Sequence, residues 1–223
     1  MPTHKEARWC PAAYWVARKA TKWLLERLGP LRVEGSEHLP AAGAFLLVCN
    51  HVSNADPVAL SAACPRLLRY MGKEELFRIP VLGWILRAVG VFPVRRGTPD
   101  RSAIRQAEAV LREGGVLALF PEGRESPQGT LLPFEPGAAL LALRTGAPVI
   151  PAYIEGITAL VPYGRVLPRL RRAPVVVRFG PPVPLADLAA ADRRQALQIA
   201  TERIFHAVAA LAPVAAAQPH GDA

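Results

Sequence analysis

Short apolar runs alternate with amphipathic stretches over most of this chain. Six runs, at 45–49, 67–71, 91–94, 116–120, 149–154 and 175–179, have the length of strands and carry few polar residues, as strands covered on both faces do. Between them, 57–63, 101–112, 137–144 and 193–211 repeat their apolar residues three and four apart and predict helices. A helical region over 74–88 is interrupted at Pro80, and Gly114-Gly115 ends the helix at 101–112. Strands alternating with short helices predict the α/β fold class: a single layered domain with a mostly parallel or mixed sheet flanked by helices.

The first element differs from these. Over 9–28, at about 100° per residue, Trp9, Ala13, Val16, Ala20, Trp23 and Leu24 share one face. Arg18, Lys19, Lys22 and Glu26 share the other, and Gly29-Pro30 ends the helix. A Trp-bearing face opposite a basic one suits a helix lying in a membrane interface, and also a helix docked on its own core. The expected organisation is therefore an N-terminal amphipathic helix (1–30), an α/β domain (31–212) and a flexible tail (213–223).

Composition narrows the classes. With 51% hydrophobic and 20% charged residues, the chain is too apolar and too weakly charged for general disorder. Cys10, Cys49 and Cys64 fit neither a disulfide framework nor a zinc-ligand spacing, and no metal site is expected. No secretory signal is visible in 1–8, and no run reaches the ~20 apolar residues needed to cross a bilayer. The formal charge is +9, a surface that attracts anions without naming one. Interleaved aromatics of a nucleic-acid platform are missing, so no nucleic-acid partner is expected.

Candidate chemistry concentrates in a few short blocks. Residues 49–57 read Cys-Asn-His-Val-Ser-Asn-Ala-Asp-Pro, and Asn50 and Asn54 are the only asparagines in the chain. His51 and Asp56 would lie about 140° apart on a continuous helix, so their side chains meet only across a turn. A buried strand ending at Cys49, a polar loop and Pro57 at a helix start provide one. Asp56 can then hold one imidazole nitrogen, leaving the other to take a proton from a hydroxyl; alternatively, Asp56 is only a helix N-cap. Ser53 lacks the Gly-x-Ser-x-Gly elbow of a serine nucleophile. A second block, Phe120-Pro121-Glu122-Gly123-Arg124-Glu125-Ser126, follows a buried strand, at the edge where open α/β sheets bind ligands. A third, Gly90 to Gly97, brings Arg95 and Arg96 into a turn, only one of which can face a given site. Ala147 to Ala152 reads as core.

In order, Asn-His-x4-Asp-Pro, Gly-x-x-Pro-Val-x-Arg, Phe-Pro-Glu-Gly and Ala-Pro-Val-Ile-Pro resemble the four blocks of the phospholipid/glycerol acyltransferase family over about residues 33–180. The resemblance implies transfer of a fatty acyl group from acyl-CoA or acyl carrier protein to the hydroxyl of 1-acylglycerol 3-phosphate, with no further cofactor. It makes His51 the general base and Asp56 its orienting carboxylate. Arg96 would bind the acceptor phosphate, Glu122 and Gly123 would shape the acceptor site, and Asn54 and Arg124 join the substrate-binding set. It also implies a peripheral protein on the cytoplasmic face of the bacterial cell membrane, with Arg18, Lys19 and Lys22 facing anionic lipid. Backbone amides at the start of the helix after His51 are expected to receive the oxyanion. Two features depart from the pattern: the third block reads Glu-Gly-Arg-Glu-Ser where the family commonly has Glu-Gly-Thr-Arg-Ser, and Glu135 stands where a basic residue is frequent. Within the family the alternative acceptors are another lysolipid or glycerol 3-phosphate; the readings of a different class are a Ser–His–Asp lipase or esterase and a non-enzymatic basic membrane-binding module.

Overall fold

The computed structural model describes residues 9–95, 100–165, 169 and 172–213. Arg96, Arg171 and nearly all of the expected tail lie outside the described residues. Seven strands, β1 (Leu31–Glu34), β2 (Phe45–Cys49), β3 (Leu68–Lys73), β4 (Val91–Val94), β5 (Val116–Leu119), β6 (Val149–Glu155) and β7 (Val175–Phe179), form one sheet in the order β1-β7-β6-β2-β5-β3-β4. The five strands from β6 to β4 are mutually parallel, with Leu46 opposite Leu117 and Leu47 opposite Ile150. β7 runs antiparallel to β6 and parallel to β1, so the sheet is mixed. All five β2 residues and six of the seven in β6 are buried, as central strands covered on both faces require.

Helices close both faces. They are α1 (Pro11–Leu28), α2 (Asp56–Ala63), α3 (Pro80–Ala88), α4 (Arg101–Arg112), α5 (Gly137–Thr145), α6 (Ile157–Leu160) and α7 (Arg193–Ala209). Because successive strand residues face opposite sides, Phe45, Leu47 and Cys49 pack towards α1 and α2, while Leu46 and Val48 pack towards α4, α5 and α7. Asp100 and Asp192 cap α4 and α7, each accepting two first-turn amides. The Pro80 interruption separates a 3-10 turn (Glu74–Arg78) from α3. β1, absent from the sequence reading, is a four-residue edge strand with mostly exposed residues.

The N-terminal helix docks by the side opposite its apolar stripe, which excludes the reading in which that stripe packs on the core. Tyr14 and Leu25 are buried, and the Tyr14 hydroxyl accepts the Leu68 N–H at 3.1 Å. Arg18, expected at the membrane, turns inward instead. Its guanidinium donates to the carbonyls of Ser61 (2.9 Å), Cys64 (3.1 Å) and Ala62 (3.3 Å). These are C-terminal carbonyls of α2, where a cation also complements the helix dipole. Val16, Trp23 and Leu24 are left exposed, as are Lys19 and Lys22. Among the described residues no helix is long and apolar enough to cross a membrane.

Candidate active site

Parallel pairing puts the carboxyl ends of β2, β5 and β3 on one edge of the sheet. Two buried loops rise from that edge, residues 50–55 after β2 and 120–126 after β5. Asn50 fixes the first. Its side-chain amide donates to the Ile154 carbonyl at 3.0 Å, and its oxygen accepts the Ile154 N–H at 2.7 Å, so the side chain extends the β2–β6 pairing beyond the last backbone ladder bond.

Asp56 does not cap its own helix: the N-cap of α2 is Ala55, without a side-chain bond. The carboxylate turns back instead. Its Oδ2 accepts the amides of Val52 (2.6 Å) and Ser53 (2.8 Å) and lies 2.8 Å from His51 Nδ1. Oδ2 therefore serves both as the closing acceptor of a tight turn and as the imidazole partner. Pro57 makes this feasible, since it removes one donor that would compete for the carboxylate and presets the first helical turn. The imidazole lies against Phe120, with ring centres 4.4 Å apart and planes at 24°, and is 6% exposed. With Nδ1 held by Asp56, the Nε2 lone pair is the basic one.

The second loop holds the first through the backbone of His51. Glu122 Oε1 accepts the His51 N–H at 2.7 Å, and the Ser126 N–H donates to the His51 carbonyl at 2.7 Å. Glu122 Oε2 accepts the Leu132 N–H at 3.0 Å, so both carboxylate oxygens are engaged by main chain. Burial pushes the Glu122 carboxyl up to about 7, against the opposing pull of those two amides and of His51. Gly123 turns the loop at φ 68°, a left-handed conformation that favours glycine.

Other candidates stand further out. Asn54 is exposed and donates to the Arg165 carbonyl at 3.2 Å. Arg124 is exposed and makes no ion pair among the described residues. Arg95 is exposed and lies 3.8 Å from Asp100, while Arg96 is outside the described residues. Ser53 is fully buried, and its hydroxyl donates to the Val161 carbonyl at 2.7 Å and accepts the Ala55 N–H at 3.2 Å. That hydroxyl builds the turn, its hydrogen committed to the Val161 carbonyl.

One expectation is overturned. The first-turn amides of α2 do not receive an oxyanion, because Asp56 N–H donates to Ser53 and both Val58 and Ala59 donate to Ala55, while Pro57 has no N–H. The tightness of the preceding turn uses them up. Phe120 and Ser126 were missed as site residues although both belong to the Phe-Pro-Glu-Gly block; a ring stacked on the imidazole and a backbone clamp leave no sequence signal beyond membership of that block. Among the described residues no group of three His, Cys, Asp or Glu side chains is placed to hold a metal ion.

The Acyltransferase family profile matches residues 30–155 of the chain. It is 29% identical over 192 residues to the 1-acyl-sn-glycerol-3-phosphate acyltransferase of Bacillus subtilis (strain 168), covering 86% of this chain and 92% of that protein. It is 32% identical over 208 residues to the lyso-ornithine lipid O-acyltransferase of Pseudomonas aeruginosa, covering 84% of this chain and 79% of that one. The crystal structure of the 1-acyl-sn-glycerophosphate acyltransferase PlsC from Thermotoga maritima matches its fold with a TM-score of 0.69 at 28% identity, covering 89% of this chain and 79% of that one. With the family profile spanning more than half its length and both buried loops falling inside the match, this chain belongs to the Acyltransferase family and is an enzyme of the O-acyltransferase type.

Proposed function

We propose that the protein transfers a fatty acyl group from an acyl thioester, acyl-CoA or acyl carrier protein, to the free hydroxyl of 1-acylglycerol 3-phosphate, giving phosphatidate. The observation that carries the mechanism is the buried pair of His51 Nδ1 and Asp56 Oδ2 at 2.8 Å. His51 Nε2 takes the acceptor's hydroxyl proton as its oxygen attacks the thioester carbonyl. The tetrahedral intermediate then expels the thiolate, which leaves with the proton from Nε2. A thioester is already activated, so no acyl-enzyme is required. General-base help of this kind contributes about 10²–10⁴-fold, and Asp56 stabilises the imidazolium that forms. Arg96 and Arg124 bind the acceptor phosphate, for which arginine's fork is the preferred partner. Glu122 and Gly123 shape the site by holding the His51 loop, and Asn54 lies at its rim. No cofactor beyond the acyl donor takes part.

The reaction runs at the cytoplasmic face of the cell membrane, with the protein bound peripherally. Support comes from α1, whose Val16, Trp23 and Leu24 face outwards with Lys19 and Lys22 beside them, the composition of an interfacial helix. A second acceptor reading, another lysolipid, is favoured by the likeness to the lyso-ornithine lipid enzyme and by the altered third block at Arg124 and Glu125.

The test is purified protein with a labelled acyl thioester and a panel of acceptors with and without phosphate. His51→Ala is expected to lose transfer by about 10²–10⁴-fold while remaining folded; a folded His51→Ala enzyme with near-wild-type turnover refutes the mechanism.

A further inference from the structure

Ten large apolar side chains are exposed among the described residues, and five of them fall within ten positions: Leu76 (39%), Ile79 (51%), Val81 (72%), Trp84 (62%) and Ile85 (44%). Val81, Trp84 and Ile85 stand at i, i+3 and i+4 of α3 and so form one outward face. The opposite face docks tightly: a Cβ on Gly83 would come within 2.5 Å of the Phe77 carbonyl oxygen. The glycine thus lets α3 fold back closely against the preceding 3-10 turn, with its Trp-bearing side turned out. A water-facing helix would carry polar residues there.

Charge and position identify the occupant. From Lys73 to Asp100 the sequence holds five cationic residues (Lys73 and four arginines) against three acidic ones, Glu74, Glu75 and Asp100, a net positive segment. Arg78 is well exposed beside the apolar face, its only ion pair among the described residues a 3.6 Å contact with Glu74 on the same 3-10 turn. Trp with arginine around an apolar patch is the pairing found where proteins enter the headgroup region of a bilayer. A second copy of this chain is a poorer fit, because an isologous contact would set this cationic face against itself. The segment also leaves the sheet at the carboxyl end of β3, the edge from which the His51 and Glu122 loops rise.

We propose that the Leu76–Ile85 face is a lipid-docking surface, separate from α1, that inserts into an anionic phospholipid leaflet and brings that edge of the sheet to the lipid. The role in presenting the acceptor rests on the lysolipid acyltransfer reading; the docking itself does not.

The experiment uses the full chain with vesicles of phosphatidylcholine, with and without phosphatidylglycerol, and with brominated acyl chains as a tryptophan quencher. Wild type is expected to bind the anionic vesicles, and part of its quenching is expected to vanish in Trp84→Phe, a variant that keeps the apolar face. A Val81→Ser/Trp84→Ser variant is expected to partition at least about ten-fold less while keeping its turnover on a short-chain, water-dispersed acceptor. Identical quenching of wild type and Trp84→Phe overturns the proposal even if the double variant fails to fold. So does wild-type partitioning by a folded double variant, or a dimer in solution that dissociates in that variant. If no lysolipid is acylated but the Trp84 quenching is seen, the surface stands and the functional reading falls.

Discussion

Replacing Glu122 separates holding the base from binding the substrate. Its two oxygens accept the amides of His51 and Leu132. Glu122→Gln keeps one acceptor and turns an NH2 towards the other amide, leaving one buried donor unpaired at a cost of about 1–3 kcal/mol. Glu122→Ala orphans both, roughly 2–6 kcal/mol, against a total stability of about 5–15 kcal/mol. The pH dependence carries a further signature. Burial raises the carboxyl from 4.5 in the free chain to about 7 in the fold, so between those values the folded state keeps a proton that the unfolded chain has lost. The contribution of Glu122 to wild-type stability is therefore full below pH 4.5, falls as pH rises and levels off above 7, a total loss of about 3 kcal/mol. Glu122→Gln has no such group, and its stability relative to wild type should improve by about that amount between pH 5 and pH 8. Urea unfolding of both proteins at the two values measures this. Parallel pH profiles for the two proteins would refute the buried-carboxyl reasoning. Kinetics completes the test. A loosened His51 loop should lower kcat, by about 10²-fold for a displacement near 1 Å, with the acceptor KM little changed. A raised acceptor KM at unchanged kcat would mean that Glu122 touches the substrate instead.

Two further changes probe the same frame. Asp56→Asn keeps an oxygen for the Val52 and Ser53 amides but loses the charge beside the imidazole, so kcat is expected to fall about 10²–10⁴-fold with the far-ultraviolet circular dichroism unchanged; retained activity would remove Asp56 from the mechanism. Arg18→Met removes the donor that closes α2 from α1 while keeping an apolar stem of similar length, and should destabilise the protein by about 1.5–3 kcal/mol, read as a lowered Tm. Lys22→Met, at an exposed position on the same helix, should change Tm little.

The sequence made the central sheet readable because β2, β5 and β6 are covered on both faces and so appear as continuous apolar runs. β1 escaped because Leu31-Arg32-Val33-Glu34 is short and half open to solvent, and its register depends on Val175–Phe179, far along the chain. The periodicity of α1 located the helix but left open which side docks, since the contacts that seat it are partly polar: the Tyr14 hydroxyl and the Arg18 guanidinium each bond main chain. A hydrophobic stripe reports where apolar residues gather and not what covers them. The His51–Asp56 turn was legible because Pro57 limits the ways the chain can leave the loop. The hold of Glu122 on His51 was not, for it is made across the sheet edge between residues with no local spacing to reveal it.

The distribution of buried polar groups explains why this edge can carry a base at all. Asn50, His51, Ser53, Asp56, Glu122 and Ser126 are buried, and tyrosines and cysteines aside only Glu108 among the described residues is a buried polar side chain elsewhere. A loop sunk beside a sheet cannot pair its amides and carbonyls in a ladder, and each one left unmade costs about 1–3 kcal/mol. Asn50 serves Ile154, Ser53 serves Val161 and Ala55, Asp56 serves Val52 and Ser53, and Glu122 serves His51 and Leu132. Each of these side chains is fixed because it completes the backbone, and the imidazole is the one group they leave with a basic nitrogen uncommitted to that framework. It follows that activity lost on changing any of them is ambiguous by itself. Changes at His51, and Asp56→Asn, which keeps the acceptor oxygen, should lose turnover with little loss of stability, whereas Asn50, Ser53 and Glu122 should lose both together. Measuring unfolding beside kcat therefore separates the proposed base from its scaffold, and a Ser53→Ala enzyme of full stability and no activity would point to the serine as a nucleophile and refute this assignment.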